Sequence, residues 1–162
     1  MIKKILVTGG LGFIGSALIR KLLKDETNKI LNLDKITYAA DLRANEEFIL
    51  NNNYEFQKVD ICNLDRISSI FKTFQPDIVF HLAAESHVDN SIRKPNDFLD
   101  TNIVGTYNIL TCSLDLYEKK MFNNFLLMHI STDEVYGSLK DNDEPFKEDS
   151  QYQPNSPYSA TK

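Results

Sequence analysis

The sequence lacks most of the signals that would each announce a function class. It has two cysteines in 162 residues, Cys62 and Cys112, far apart and outside any C-x-x-C pair. That argues against a disulfide framework or a cysteine zinc site and leaves two reduced thiols. Basic charge is not in surplus: the formal net charge is -5, with acids and bases mixed along most of the chain. The basic patch that a nucleic-acid surface requires is therefore missing. No long apolar run exists. The opening "MIKKILVTGG" is too short for a signal peptide, and no stretch approaches a membrane span. These absences point to a cytoplasmic chain with neither a nucleic-acid nor a membrane partner. The three histidines have no metal-ligand spacing, so no metal is expected. His81 and His129 lie in apolar runs as core residues with a hydrogen-bond partner, and His87 lies near a site edge. A nucleotide ligand survives these exclusions, because helix N-termini and backbone amides bind phosphate without a net basic charge.

What is present is a repeating alternation. A chain of this length is expected to make one domain, and a hydrophobic content of 42% suits a globular one. Apolar runs at 4–9, 29–34, 54–60, 76–84 and 123–132 read as strands, and amphipathic stretches between them read as helices. Along "SALIRKLLKD" an apolar face of Ile14, Leu18, Leu22 and Leu23 is expected. Along "DRISSIFKTF" the inward set is Ile67, Ile70, Phe71 and Phe74. Residues 96–120 read as one long helix. The strand–helix alternation implies a doubly wound, Rossmann-type parallel sheet of about five strands in an α/β fold. The polar, proline-marked stretch 138–157 reads as a solvated surface loop, with a flap over a site as the alternative.

Two groups of residues carry chemistry. "TGGLGFIG" places Gly9, Gly12 and Gly15 between the first strand and the first helix. Gly9 permits the tight turn, Gly12 lets backbone approach a pyrophosphate, and Gly15 lets the helix pack on the sheet. Asp34 closes the second strand nineteen residues after Gly15. A carboxylate there accepts hydrogen bonds from an adenosine ribose and repels a 2′-phosphate, which favours NAD over NADP. Asp60 and Ile61 end the third strand at the same edge and could flank adenine, though Asp60 reads nearly as well as a helix N-cap. The second group follows the fifth strand: Thr132, Asp133 and Glu134 in "HISTDEVYG", and Tyr158 with Lys162 in "SPYSATK". Tyr158 and Lys162 are four apart, so one helical turn stacks them. A tyrosine base needs its pKa brought down from about 10, and a neighbouring ammonium is expected to do that.

Together "TGGLGFIG", "LDKITYA", "VDI", "HLAAESHVDNSI", "FLDTNIVGTYNIL", "HISTDEVYG" and "SPYSATK" resemble the extended short-chain dehydrogenase/reductase family along nearly the whole chain. Within it the Asp-Glu pair of "STDEVYG" is most similar to the dTDP-glucose 4,6-dehydratases. Plant-type UDP-glucose dehydratases resemble the chain nearly as well. The resemblance implies an NAD-dependent hydro-lyase acting on a nucleotide sugar, dTDP-glucose. It implies that Phe13 and Ile14 join the glycines at the pyrophosphate, and that Asp34, Lys35, Ile36 and Thr37 hold the ribose. Leu82, Ala83, Ala84, Glu85, Ser86 and Thr101 would line the cofactor, with Tyr158 and Lys162 beside it, and Ser86 and Thr132 would touch the sugar. Tyr158 would take the proton of the 4-hydroxyl, Glu134 that of C5, and Asp133 would protonate the departing C6 hydroxyl. Family members are about twice as long and homodimeric. Residues 1–162 then correspond to the NAD-binding Rossmann domain, without the nucleotide-sugar-binding part and with an incomplete dimer interface. The alternatives are an NAD-binding fragment without catalysis, or a related UDP-sugar dehydratase or epimerase. A helix of fewer than about 12 residues is marginal alone, so the turn carrying Tyr158 and Lys162 is expected to be poorly ordered.

Overall fold

The computed structural model describes residues 2–120 and 125–162. In chain order the elements are β1 (Lys3–Thr8), α1 (Phe13–Leu22), β2 (Asn28–Asp34), α2 (Leu42–Phe48), β3 (Tyr54–Lys58), α3 (Leu64–Phe74), β4 (Ile78–His81), α4 (Val88–Arg93), α5 (Pro95–Phe98), α6 (Thr106–Lys119), β5 (Leu126–His129) and α7 (Pro157–Ala160). A π-helical segment, Leu99–Gly105, lies between α5 and α6, and a 3-10 turn spans Asp133–Tyr136. The chain divides into two compact units. One comprises Met1–Ala83 with Gly105–Ile130, the other Ala84–Val104 with Ser131–Lys162.

The first unit holds the sheet, in the order β3-β2-β1-β4-β5 with every pair parallel. This is the doubly wound Rossmann arrangement read from the sequence. The winding reverses between β1 and β4, and in such sheets ligands bind at the carboxyl ends of the strands beside that reversal. Both faces are covered, which is why the strands read as continuous apolar runs. Leu6, Leu31, Leu33 and Val79 pack with Ile67, Ile70, Phe71, Ile109 and Leu116 of α3 and α6. On the opposite face Ile5, Val7 and Ile30 pack with Ile19 of α1 and with Ala44 and Phe48 of α2. β5 is an edge strand, and its Leu126 and Met128 are exposed.

The inward set of α3 is the expected one. The apolar face of α1 is the expected one at Leu22 and Leu23, which pack on the sheet, but not at Ile14. Gly15 and Ile19 are the buried positions, Leu18 is half-buried, and Ile14 is exposed. The helix starts so close to the turn that a Cβ on Gly15 would fall 2.2 Å from the Gly9 carbonyl oxygen. That approach aims residue 15, rather than 14, at the sheet. β3 and β4 also end earlier than the apolar runs, at Lys58 and His81. Residues 123–124 of the expected fifth strand lie outside the described residues. The expected single helix over 96–120 is instead α5, the π-helical segment and α6. Gly105 lies at the end of the π-helical segment, where a Cβ would meet Ile61 Cδ1 at 2.5 Å. Among the described residues no helix is long and apolar enough to cross a membrane.

The second unit has no strand among its described residues. It consists of α4, α5, α7, most of the π-helical segment, the 3-10 turn and the loop after it. That loop is exposed, as its polarity suggested, yet two of its aromatics fold onto the 3-10 turn. Tyr136 stacks on Tyr152 with centroids 5.4 Å apart and lies 5.4 Å from Phe146.

Candidate functional site

At the strand ends of the first unit, the glycine turn is set by backbone contacts. Gly9 has φ +72, and a Cβ there would fall 2.6 Å from the Ala83 amide nitrogen, so only glycine suits the position. Gly12 is different. A Cβ on it would meet nothing nearer than 3.4 Å, so packing within the chain does not require glycine there. Space directly over backbone is what an approaching phosphate needs. The first bond of the α1 ladder runs from Ser16 N–H to Gly12 O, so the amides of Phe13 and Ile14 precede the ladder and are available to an anion.

Asp34 closes β2 as expected. Its carboxylate accepts from the Leu11 amide at 3.0 Å and from the Ile36 amide at 2.8 Å. It thus ties the glycine turn to the segment of Lys35, Ile36 and Thr37. Ile36 adopts φ +60, a costly conformation for a β-branched residue, held next to the acid that would meet a ribose. Asp60 accepts from the Cys62 amide at 2.9 Å, and the N-cap of α3 is Asn63. The helix-cap reading of Asp60 is therefore excluded. Ile61 is buried, and Leu82 and Ala83 follow β4 at the same edge. One residue escaped the sequence reading. Asn32, fully buried in β2, accepts from the Gly10 amide at 3.0 Å and donates to the Tyr54 hydroxyl at 2.9 Å. Its signal was a lone amide inside the apolar run "KILNLD".

The second unit brings together Thr132, Asp133, Glu134 and Tyr158. Thr132 caps the 3-10 turn, its hydroxyl accepting from the Glu134 amide at 3.3 Å. It also lies close enough to the Tyr158 phenol to favour its ionised form. Asp133 and Glu134 are exposed, and Tyr158 is half-buried with its ring 6.4 Å from that of Phe98. Burial pushes the phenol above its ordinary value, and the carboxylates of Glu134 and Asp133 push the same way; Thr132 opposes them. Burial also lowers the pKa of Lys162. The expected depression of Tyr158 by the Lys162 ammonium is thus overturned for the chain alone, because burial and two carboxylates act on the phenol.

The turn carrying the pair is better held than its length suggested. Ser156 and Ser159 form a reciprocal capping box on α7, with Pro157 at its first position. The Thr161 hydroxyl donates to the Tyr158 carbonyl at 2.8 Å, and Ser131 Oγ donates to the Lys162 carbonyl at 3.2 Å. Asn102, buried on the π-helical segment beside buried Thr101, donates to Thr161 Oγ1 at 3.0 Å. The same amide accepts from Glu85 N at 2.8 Å and donates to Glu85 O at 2.9 Å. It therefore ties the 84–86 segment, including exposed Ser86, to the tyrosine turn. Sequence reasoning passed over Asn102 as one polar residue in a long helix.

Comparison with known proteins follows the same pattern. The sequence model of the GDP-mannose 4,6 dehydratase family matches residues 6–162. The chain belongs to that family. Among family relatives, a dTDP-glucose 4,6-dehydratase of Haemophilus influenzae is 52% identical over 161 residues, covering 98% of this chain and 48% of that protein. Two dTDP-glucose 4,6-dehydratases solved with NAD share the fold. That of Streptomyces venezuelae has a TM-score of 0.86 at 35% identity, covering 98% of this chain and 48% of the other. That of Bacillus anthracis has a TM-score of 0.81 at 38% identity, covering 98% and 46%. The chain thus spans about half the length of the family members it matches.

Proposed function

We propose that the chain is the NAD-binding and acid–base half of a dTDP-glucose 4,6-dehydratase. The observation that carries this reading is the 3-10 turn itself: its cap Thr132 and its two exposed carboxylates, Asp133 and Glu134, all act on the Tyr158 phenol. Water elimination needs a base and an acid in addition to the group that deprotonates the alcohol. A sugar epimerase has no use for that extra pair. When bound, NAD would take the C4 hydride and return it to C6. The amides of Phe13 and Ile14 above Gly12 would hold its pyrophosphate, and Asp34 its ribose. The residues at the strand ends fit that group, since the space at Gly12 serves backbone approach and nothing in the packing requires it.

Thr132 would orient the 4-hydroxyl and Tyr158 would take its proton. The phenol lies above its ordinary pKa in the chain alone, and the positive nicotinamide would supply the opposing charge that makes it a base. Glu134 would then remove the C5 proton acidified by the 4-ketone, Asp133 would protonate the leaving C6 hydroxyl so that it departs as water, and Glu134 would give its proton back to C5 as the hydride returns to C6. Incubation with NAD and dTDP-glucose should give the 4-keto-6-deoxy sugar. Asp133→Asn and Glu134→Gln should stop elimination while C4 oxidation continues. Elimination that survives both changes would overturn the assignment.

A second reading has its own support. The chain spans about half the length of the relatives it matches, and NAD binding by calorimetry without product would make it a dinucleotide-binding module. Homodimerisation and a cytoplasmic location belong to the proposal. Exposed Tyr107, Leu110 and Leu114 line one side of α6 at helical spacing, as a surface for a second copy would. Sedimentation of Leu110→Glu against the parent chain tests the dimer, and cell fractionation tests the location.

A further inference from the structure

β1 and β4 are joined at their carboxyl ends by more than the sheet ladder. Thr8 and His81, the last residues of the two strands, are register partners and are fully buried. The Ala83 amide donates to Thr8 Oγ1 at 3.2 Å. Thr8 Oγ1 lies 2.7 Å from His81 Nδ1, and His81 Nε2 lies 2.9 Å from Thr106 Oγ1. The Thr8 hydroxyl has one proton and already accepts from Ala83. If Nδ1 also donated to it, that proton would be buried without an acceptor, which is costly. One neutral tautomer satisfies the whole relay: Thr8 donates to Nδ1, and Nε2–H donates to Thr106. The His129 ring, 5.1 Å away and 28° from parallel, holds the plane of His81.

Thr8 immediately precedes Gly9, whose missing Cβ makes room for the Ala83 amide. We propose that His81 is a positioning residue for the dinucleotide turn. Its imidazole, accepting at Nδ1, fixes the Thr8 hydroxyl so that Gly9 and Ala83 keep their close spacing. This deepens the NAD reading above and rests on it. The relay sets where the pyrophosphate's backbone donors stand, while His81 itself touches no cofactor atom.

Two substitutions separate the ends of the ring. Asparagine places its amide where Nδ1 lies, and glutamine places its amide where Nε2 lies. His81→Asn should keep NAD affinity within about threefold, whereas His81→Gln should weaken it about tenfold, the scale of one buried hydrogen bond. The Gly9 amide resonance should shift in His81→Gln and stay in His81→Asn. Equal losses, or the reverse order, overturn the proposal. The wild-type chain gives an independent reading, because long-range 1H–15N NMR should show His81 Nδ1 unprotonated and Nε2 protonated. The opposite tautomer overturns the relay even where neither variant folds. If the wild type does not bind NAD, the functional reading fails, while the tautomer and the Gly9 amide still decide the relay.

Discussion

The two units solve the same problem, fixing a few polar groups in place, by different means. In the first, the glycine turn rides on a sheet covered on both faces, and its geometry at Gly9 and Gly15 comes from backbone packed too closely for a Cβ. In the second, among the described residues, no strand exists and the core is small. Order there comes from side-chain hydrogen bonds: Asn102 to Glu85 and Thr161, and the Ser156–Ser159 box. Rigid packing suits a site that binds through fixed amides. A hydrogen-bonded frame suits the proton exchange proposed for Tyr158, Asp133 and Glu134, since its polar groups tune their neighbours directly.

The largest test of this contrast is Leu31→Ala, which deletes a fully buried side chain of β2. It should cost about 2–5 kcal/mol in denaturant unfolding. If the near-UV signal of the Tyr136–Tyr152 stack persists beyond the far-UV transition, the units melt separately; coincident transitions make them one cooperative body. Next, Gly15→Ala should destabilise by about 1–3 kcal/mol through overpacking against Gly9, and calorimetry should show NAD binding abolished. Asn102→Ala removes three hydrogen bonds at once and should cost about 1–3 kcal/mol. Because the change lies in the second unit, turnover should fall further than NAD affinity, and an equal fall in both would blur the contrast.

The smallest effect concerns pH. In the chain without cofactor, Tyr158 should ionise above the ordinary tyrosine value of about 10, read as the difference in ultraviolet titration against Tyr158→Phe. Asp133→Asn with Glu134→Gln should move that titration down, and Thr132→Val should move it up. The folded state holds this proton longer than the unfolded state, so the contribution is present below the unfolded value and is lost as pH rises through the folded one.

The sheet was legible in the sequence because strands buried on both faces leave uninterrupted apolar runs, and α3 because its periodicity is strong. Ile14 misled because hydrophobicity alone cannot show that Gly15 must touch the turn. The π-helical segment was hidden, since its register depends on Gly105 packing against Ile61, 44 residues earlier in the chain. α2 and α4, seven and six residues long, are too short to show a periodicity. At the site, the glycines and Asp34 could be read from spacing. His81 was read as a buried residue with a hydrogen-bond partner, as it is, but Asn32 and Asn102 were not, because a buried polar residue declares its role only through its partners. The direction of the Tyr158 shift depended on burial, which no spacing reports.

The pairing of β1 with β4 also has a consequence in time. The two strands are 73 residues apart in the chain, Ile5 opposite Ile78. At synthesis rates of roughly 5–20 residues per second, β1 leaves the ribosome about 4–15 s before its second neighbour exists. Through that interval the edge of β1 that carries the buried run Ile5–Val7 is open, so a ribosome-associated chaperone would find its natural target in the first ten residues.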